Sequence, residues 1–207
     1  MSIQKNKIKV GIIGGSGYTG GELIRLLMNH SKVELVFIHS KTNQGKYVIE
    51  VHKDLIGQTK IKFTDKINEK VDLLFLCVAH GKSKKFLEKN KIDKKIKIID
   101  LSQDFRLNAT HSKRKFIYGL PELNKDEIIK SCSIANPGCF ATAIQLGLLP
   151  FAINSHLYGD VNINAITGST GAGVKLSDTS HFSWRNNNIS WYKSFNHQHL
   201  KEINLNL

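Results

Sequence analysis

The first forty residues contain two short apolar runs separated by an amphipathic segment. Ile8–Ile13 (IKVGII) is an apolar run that ends in a cluster of glycines, and residues 18–30 then carry leucine and isoleucine at helical spacing. A second apolar run follows at residues 33–38. The order of strand, tight turn, helix and strand predicts one βαβ unit.

Two later apolar runs lack the polar alternation of a half-exposed strand. They lie at residues 71–79 (VDLLFLCVA) and 96–101 (IKIIDL), and a helical pattern at 83–90 separates them. Strands of this kind are typical of a parallel sheet that helices cover on both faces. We therefore predict an α/β fold, a Rossmann-like doubly wound parallel sheet that occupies residues 1–152.

The pattern of apolar and polar residues changes along the second half of the chain. The pattern predicts four further elements: a helix at 122–130 after Pro121, a short strand at Ser133–Ala135, a helix at Cys139–Ile153 that is interrupted near Pro150, and a strand with one exposed face at 161–167. We assign residues 153–207 to part of an α+β substrate domain.

Composition narrows the class of protein. The net charge of +13, from 30 basic and 17 acidic residues, is compatible with nucleic-acid binding, but the lysines are spread over several segments and we expect no nucleic-acid partner.

No apolar run approaches the roughly 20 residues that cross a bilayer, and the start of the chain lacks the apolar middle of a secretory signal. We therefore expect a soluble, cytoplasmic protein. Its three cysteines form no CxxC pair, which argues against a disulfide framework or a metal site.

A glycine-rich turn joins the first strand to the first helix. The segment GIIGGSGYTG, residues 11–20, offers two overlapping GxxGxxG readings. Glycines at such a junction allow a pyrophosphate to approach the free N–H groups of a helix N-terminus, although a plain tight turn is the alternative. We expect the cofactor contacts to come from Gly14, Ser16, Gly17, Tyr18, Thr19 and Gly20.

The end of the second strand indicates which dinucleotide binds. An NAD enzyme usually has a carboxylate there for the ribose hydroxyls, whereas this chain has His39, Ser40 and Lys41. A hydroxyl and an ammonium group suit a 2′-phosphate, which a carboxylate would repel. We predict NADP as the cofactor, held in part by Ser40 and Lys41; an ordinary solvated turn is the alternative.

Cys139 is the strongest candidate nucleophile. It follows a Pro-Gly turn and begins an apolar helix, so its sulfur is expected beside unpaired backbone N–H groups, which favour the thiolate. Cys77, inside an apolar run, and Cys132 are expected to be small buried residues, the commonest role of a single cysteine.

Four segments extend over essentially the whole chain: GIIGGSGYTGGELIRLL at 11–27, DLSQDFRL at 100–107 with YGLPE at 118–122, IANPGCFATA at 134–143 leading to GLLP at 147–150, and HQHLKEI at 197–203. In this order they resemble one enzyme family, the N-acetyl-gamma-glutamyl-phosphate reductases of arginine biosynthesis.

The resemblance implies a reaction in two steps. The Cys139 thiolate attacks the acyl phosphate of N-acetyl-glutamyl 5-phosphate, and NADPH reduces the resulting thioester to the semialdehyde. A proton donor is expected from the neighbouring histidines His197 and His199. The family's histidine and glutamate spacing favours His197, oriented by Glu202, with His199 on the substrate side, but the choice between the two stays open; surface histidines on a loop are the alternative.

Two other groups are candidates for substrate contact. Arg106 in DFRL can bind a phosphate or carboxylate with two parallel hydrogen bonds, or form a salt bridge with Asp104 or Asp100. Ser169 lies in the small-residue loop at 168–173, which suits a substrate loop but also a turn between domains.

The resemblance also implies a homo-oligomer and a chain that continues beyond residue 207. We therefore expect a C-terminally truncated chain that is poorly active alone. Two other functions stay open: an aspartate-semialdehyde dehydrogenase-like enzyme, which shares the glycine loop and a catalytic cysteine, and a noncatalytic NADP-binding remnant.

Overall fold

The computed structural model describes residues 7–111 and 113–207. Their contacts divide the chain into two units, the first ending at Asn136 and the second comprising Pro137–Leu207. The division falls before the helix that begins at Cys139, and the domain limit at residue 152 stays a prediction.

A parallel sheet forms the centre of the first unit. Its strands are β1 (Ile8–Ile13), β2 (Val33–His39), β3 (Phe63–Thr64), β4 (Leu73–Leu76), β5 (Lys97–Asp100), β8 (Ile117–Tyr118) and β9 (Ser133–Ala135), and a separate antiparallel pair joins β6 (Thr110–His111) to β7 (Arg114–Lys115). The order across the sheet is β3-β2-β1-β4-β5-β9-β8, with every neighbouring pair parallel. This arrangement confirms the predicted α/β class and doubly wound parallel sheet.

Helices connect the strands and make up the regular structure of the second unit. They are α1 (Tyr18–Met28), α2 (Val48–Val51), α3 (Lys82–Lys89), α4 (Pro121–Lys130), α5 (Cys139–Ile153), α6 (Phe182–Arg185) and α7 (His199–Asn206), with single 3-10 turns at Lys53–Leu55, Ser169–Ala172 and Asp178–Ser180. None of the helices in the described ranges is both long and apolar enough to cross a membrane.

Successive residues of the central strands bury opposite faces of the sheet. In β1, Ile12 packs into one apolar cluster and Ile13 into the other, and Ile38 and Phe37 of β2 divide in the same way. Side chains alternate between the two faces of a strand, so an unbroken apolar run means that both faces are covered. Both faces of the strand that leads into the turn between β1 and α1 are therefore covered.

Two predicted features of the second unit are wrong. Residues 161–167 form no strand and are exposed throughout. Alternation alone does not form a strand without a hydrogen-bonded neighbour, and the described residues of this unit contain none. Helix α5 also continues through Pro150. Pro150 lies in the last turn and Leu146, whose carbonyl loses its donor, is exposed, so water can replace that hydrogen bond.

Candidate active site

The glycine turn, residues 14–17, presents the start of α1 as an open helix N-terminus. Among the described residues, no side chain caps the helix at Gly17. Gly14 has φ +85°, and the N–H groups of Gly14 and Gly15 both donate to the His39 carbonyl at 3.0 Å. A Cβ on Gly20 would lie 2.6 Å from the Gly14 carbonyl oxygen, so only glycine permits this approach of helix to turn. The turn therefore packs closely against α1 and leaves the N-terminus of that helix without a side-chain cap, an arrangement that favours an anion.

A cluster of hydroxyl groups lies beside the glycine turn. Ser40, buried directly after β2, donates from Oγ to Ser16 Oγ at 3.0 Å. The Thr42 hydroxyl lies 3.4 Å from Ser40 Oγ, and the Asn43 amide donates to the same atom at 3.4 Å. Lys41 is exposed beside them. The structure thus brings together Ser16 and Ser40, which the sequence selected from two separate motifs.

His39 fills the end of β2, where an NAD enzyme usually presents a carboxylate. The ring is buried, and burial followed by the charge of Lys41 lowers its pKa, while Asp65 acts in the opposite direction. His39 is therefore neutral near pH 7. Tyr18 and Thr19 are exposed in the first turn of α1, on the open end of the helix.

Arg106 lies buried at the carboxyl end of the sheet and binds backbone carbonyls. Its Nε donates to the Asn136 carbonyl at 2.8 Å, and Nη2 donates to the Leu101 carbonyl at 3.1 Å. The Asn136 N–H in turn donates to the Asp100 carbonyl at 2.8 Å. Arg106 therefore holds the peptide that leaves β9 toward Pro137, and its predicted contact with substrate stays a prediction.

The three cysteines differ in exposure. Cys139 is the first residue of α5 and is exposed, as a nucleophile requires. Cys77 is partly buried, and burial raises the pKa of its thiol to about 12, which agrees with the predicted inert apolar role. Cys132 is exposed, and its predicted burial is wrong because it lies at the surface just before β9.

Two histidines and a glutamate gather at the N-terminus of α5. The ring of Phe140, next to Cys139, lies 5.3 Å from the His197 ring and 6.3 Å from the His199 ring between centroids, and the two imidazoles are 4.5 Å apart. Burial and the charge of Lys193 lower the pKa of His197, against an opposing effect of Glu202. The predicted residues therefore form one cluster within the second unit.

Glu202 lies nearer to His199 than the sequence spacing indicated. Its Oε1 is 3.7 Å from His199 Nε2, because residues three apart in α7 share a face. Its Oε2 accepts a hydrogen bond from the Gly138 N–H at 3.3 Å. The His199 N–H donates to His197 Nδ1 at 3.1 Å, so a neutral His197 carries its proton on Nε2.

Two side chains of this cluster were missed by the sequence analysis. Gln145 has no exposed surface and donates from Nε2 to the Glu202 carbonyl at 3.0 Å. Tyr192 lies 5.9 Å from the His197 ring, and its pKa is raised by burial and then by the nearby Cys139. The sequence signal for Gln145 was a single polar side chain in an otherwise apolar helix, whereas nothing local marked Tyr192.

The remaining predicted residue, Ser169, begins an exposed 3-10 turn, Ser169–Ala172. Its substrate role stays a prediction. Within the described ranges, no group of three or more histidine, cysteine, aspartate or glutamate side chains could hold a metal ion.

Comparison with known proteins gives matches over most of the chain. The model of the semialdehyde dehydrogenase NAD binding domain matches residues 9–131, and that of the semialdehyde dehydrogenase dimerisation domain matches residues 139–207. The N-acetyl-gamma-glutamyl-phosphate reductase of Bacteroides thetaiotaomicron is 58% identical over 97% of this chain and 62% of its own length. The corresponding enzyme of Flavobacterium johnsoniae is 61% identical over 95% of this chain and 61% of its own length. The chain thus spans about three fifths of the length of these curated relatives.

Solved structures share the fold at low sequence identity. An aspartate semialdehyde dehydrogenase from Candida albicans, determined with NADP, has a TM-score of 0.55 and 16% identity over 73% of this chain and 48% of its own. Aspartate semialdehyde dehydrogenase II from Vibrio cholerae has a TM-score of 0.58 and 18% identity over 82% of this chain and 49% of its own. The NAD binding domain match at residues 9–131, which covers more than half of the 207 residues, shows that the chain belongs to the semialdehyde dehydrogenase family.

Proposed function

We propose that the chain reduces N-acetyl-glutamyl 5-phosphate to N-acetyl-glutamate 5-semialdehyde through a thioester on Cys139. Relatives that are 57–61% identical carry the name N-acetyl-gamma-glutamyl-phosphate reductase. The observation that carries the proposal is the exposed position of Cys139 at the N-terminus of α5, in the same unit as the histidine pair and Glu202. A reductase of this type belongs to arginine biosynthesis, as the family resemblance implies.

NADP is the proposed cofactor. The glycine turn suits a pyrophosphate, since it leads into the uncapped N-terminus of α1, which favours an anion. The hydroxyls of Ser16 and Ser40 and the ammonium of Lys41 suit a 2′-phosphate. When bound, NADPH supplies the hydride that reduces the thioester carbon.

Cys139 performs the covalent step. Its thiolate attacks the carbonyl carbon of the acyl phosphate, a C–S bond forms, and the C–O bond to phosphate breaks as phosphate leaves and takes up a proton. After reduction at the same carbon, the C–S bond breaks, the aldehyde forms, and the thiolate returns. An exposed sulfur at a helix N-terminus suits both steps, because the helix dipole favours the anion that attacks and leaves.

The histidine pair and Glu202 stabilise the negative charge that develops on the oxygen of the reacting carbonyl. His197 accepts a hydrogen bond at Nδ1, which leaves Nε2–H to donate to the developing oxyanion. Glu202 lies against His199 and the Gly138 N–H, so it fixes the neighbouring ring relative to the start of α5.

Arg106 and Ser169 are proposed contacts for the substrate phosphate and carboxylate. The dimerisation domain match supports a homo-oligomer.

Trapping of the acyl enzyme tests the proposal without requiring turnover. The chain is incubated with N-acetyl-glutamate 5-semialdehyde and NADP⁺ in the absence of phosphate, so that the thioester formed in the reverse reaction has no acceptor. We expect NADPH equal to the thioester formed and the acyl mass on the peptide that contains Cys139, with neither product in Cys139→Ala. Acylation by aspartate semialdehyde instead would favour the aspartate-semialdehyde dehydrogenase-like alternative.

Thiol labelling separates an enzyme from a noncatalytic remnant. With limiting iodoacetamide near pH 7, we expect Cys139 to react faster than Cys132, although both are exposed, and Cys77 to react slowest because the pKa of its thiol is about 12. Equal rates at Cys139 and Cys132 would favour the remnant.

A further inference from the structure

His52, which is not among the predicted site residues, is buried and hydrogen-bonded to the glycine turn. His52 follows α2 and retains only 7% of its surface. Its Nε2 lies 2.8 Å from the Gly15 carbonyl oxygen. A carbonyl oxygen only accepts hydrogen bonds, so Nε2 carries the proton and donates.

The same ring packs against the backbone of α1. A Cβ on Gly21 would lie 2.5 Å from His52 Cε1 and 2.7 Å from Nδ1, so the imidazole occupies the space that a side chain at residue 21 would take. Because residue 21 is glycine, the imidazole of His52 can pass beneath the start of α1 and reach the Gly15 carbonyl. His52 thus contacts both parts of the structure that form the pyrophosphate site, the turn and the helix start.

The hydrogen bond fixes the direction of a donor on the other side of the peptide. The Gly15 carbonyl and the Ser16 N–H belong to one planar peptide unit, in which they point in opposite directions. The Gly15 N–H is already held by the His39 carbonyl at 3.0 Å. With His52 on the carbonyl, the Gly15–Ser16 peptide has little freedom to rotate, and the Ser16 N–H is directed away from His52.

We infer that His52 is a positioning residue of the dinucleotide site, which orients the Gly15–Ser16 peptide so that the Ser16 N–H meets the cofactor's pyrophosphate. This inference rests on the proposed function, because it requires a dinucleotide on the glycine turn. The inferred role depends on the N–H donor of His52, because the Gly15 carbonyl needs a hydrogen-bond partner at the position of Nε2. The contact with Gly21 depends only on the volume of the side chain.

Two substitutions separate the donor from the volume. His52→Leu keeps an apolar side chain of similar size and removes the donor, whereas His52→Gln places an amide N–H near the former Nε2. Titration of each variant with NADPH and NADH, followed by fluorescence, gives the dissociation constants. We expect a rise of about tenfold for both dinucleotides in His52→Leu, the size typical of one lost buried hydrogen bond, and values within about threefold of the wild type in His52→Gln.

The readout distinguishes a positioning role from a structural one. Val48→Ala removes buried volume from the helix that precedes His52, so it should lower the melting temperature and leave both dissociation constants unchanged. Because the pyrophosphate is common to both dinucleotides, the NADPH to NADH affinity ratio should not change in His52→Leu. A change confined to NADPH would place the effect at the 2′-phosphate and overturn the inference.

The outcomes distinguish failure of the cofactor proposal from failure of the role inferred for His52. If the wild-type chain binds neither dinucleotide, the cofactor proposal fails and the role of His52 fails with it. If the wild type binds and His52→Leu binds equally well, only the role of His52 fails. Should His52→Leu not fold, His52→Gln is compared with His52→Asn, whose amide is too short to reach the carbonyl, and equal affinities of those two would overturn the inference.

Discussion

The residues that follow β2 are the ones on which the proposed preference for NADP depends. Lys41 is exposed beside the Ser16 and Ser40 hydroxyls, where a 2′-phosphate would meet its ammonium group. We predict that Lys41→Glu raises the dissociation constant for NADPH by about tenfold at low salt, because a carboxylate there repels the phosphate. NADH binding should stay within about twofold, and parallel titrations with both dinucleotides measure the ratio.

Lys32→Glu is the matched control for this charge reversal. Lys32 is equally exposed but precedes β2, at the opposite end of the strand from the glycine turn. It should leave the NADPH to NADH ratio as in the wild type. Loss of NADPH affinity in both variants would mean that overall charge, and not the group at residue 41, governs binding.

Among single residues, those with a strong local context could be identified from the sequence. Cys139 was recognised because a Pro-Gly turn and an apolar helix surround it, and it is exposed at the helix start. The approach of Glu202 to His199, at 3.7 Å, was not predicted from the sequence, because it depends on the face that the two residues share in α7. The orienting of His197 by Glu202 stays a prediction.

At the scale of elements, the contact between α5 and α7 organises the histidine cluster. Gln145 is fully buried in α5 and donates to the Glu202 carbonyl of α7, while Glu202 accepts from Gly138 at the start of α5. One hydrogen bond is to the backbone carbonyl of Glu202 and the other to its carboxylate. Helix α7 is only eight residues long, too short to be stable alone, so its position depends on these contacts.

We predict that Gln145→Leu loosens α7 without unfolding the first unit. The variant keeps a similar volume and removes the donor to Glu202, which should destabilise the packing of α7 by about 1 kcal/mol or more. Hydrogen exchange followed by mass spectrometry should show faster exchange of the α7 amides, by roughly fivefold or more, with β1 and β4 unchanged.

Gln198→Leu makes the same chemical change at an exposed position next to α7. The Gln198 side chain accepts from Lys193 at 2.7 Å in contact with solvent. Its removal should leave the exchange of α7 close to that of the wild type, because exposed hydrogen bonds are readily replaced by water. Equal acceleration in both variants would show that the buried bond of Gln145 does not hold the helix.

Elements with buried, continuous patterns were predicted closely, and those that depend on distant partners were not. The limits of β1, β9 and α5 agree with the predicted ones. The strands β3 and β8 have two residues each, too few for a periodic signal, and they form because neighbours offer an edge. The strand expected at 161–167 is the converse case, a clear alternation without a partner among the described residues.

On the scale of the whole molecule, protonation of a buried ring couples stability to pH. The pKa of His39 is lowered below its usual 6.5, first by burial and then by Lys41. The unfolded chain therefore binds a proton at a higher pH than the folded chain. The stabilising contribution of the neutral ring is complete above pH 6.5 and is lost as pH falls through the lower folded pKa.

We predict that the free energy of unfolding decreases as the pH falls below about 6.5, and that His39→Gln reduces the slope of this decrease because the substituted side chain binds no proton. Urea unfolding followed by far-UV circular dichroism at several pH values between about 5.5 and 8 measures the slope. His197, whose pKa is also lowered, contributes in the same direction and stays in both proteins. A slope that His39→Gln leaves unchanged would mean that the ring at the end of β2 is not the group whose protonation opposes folding.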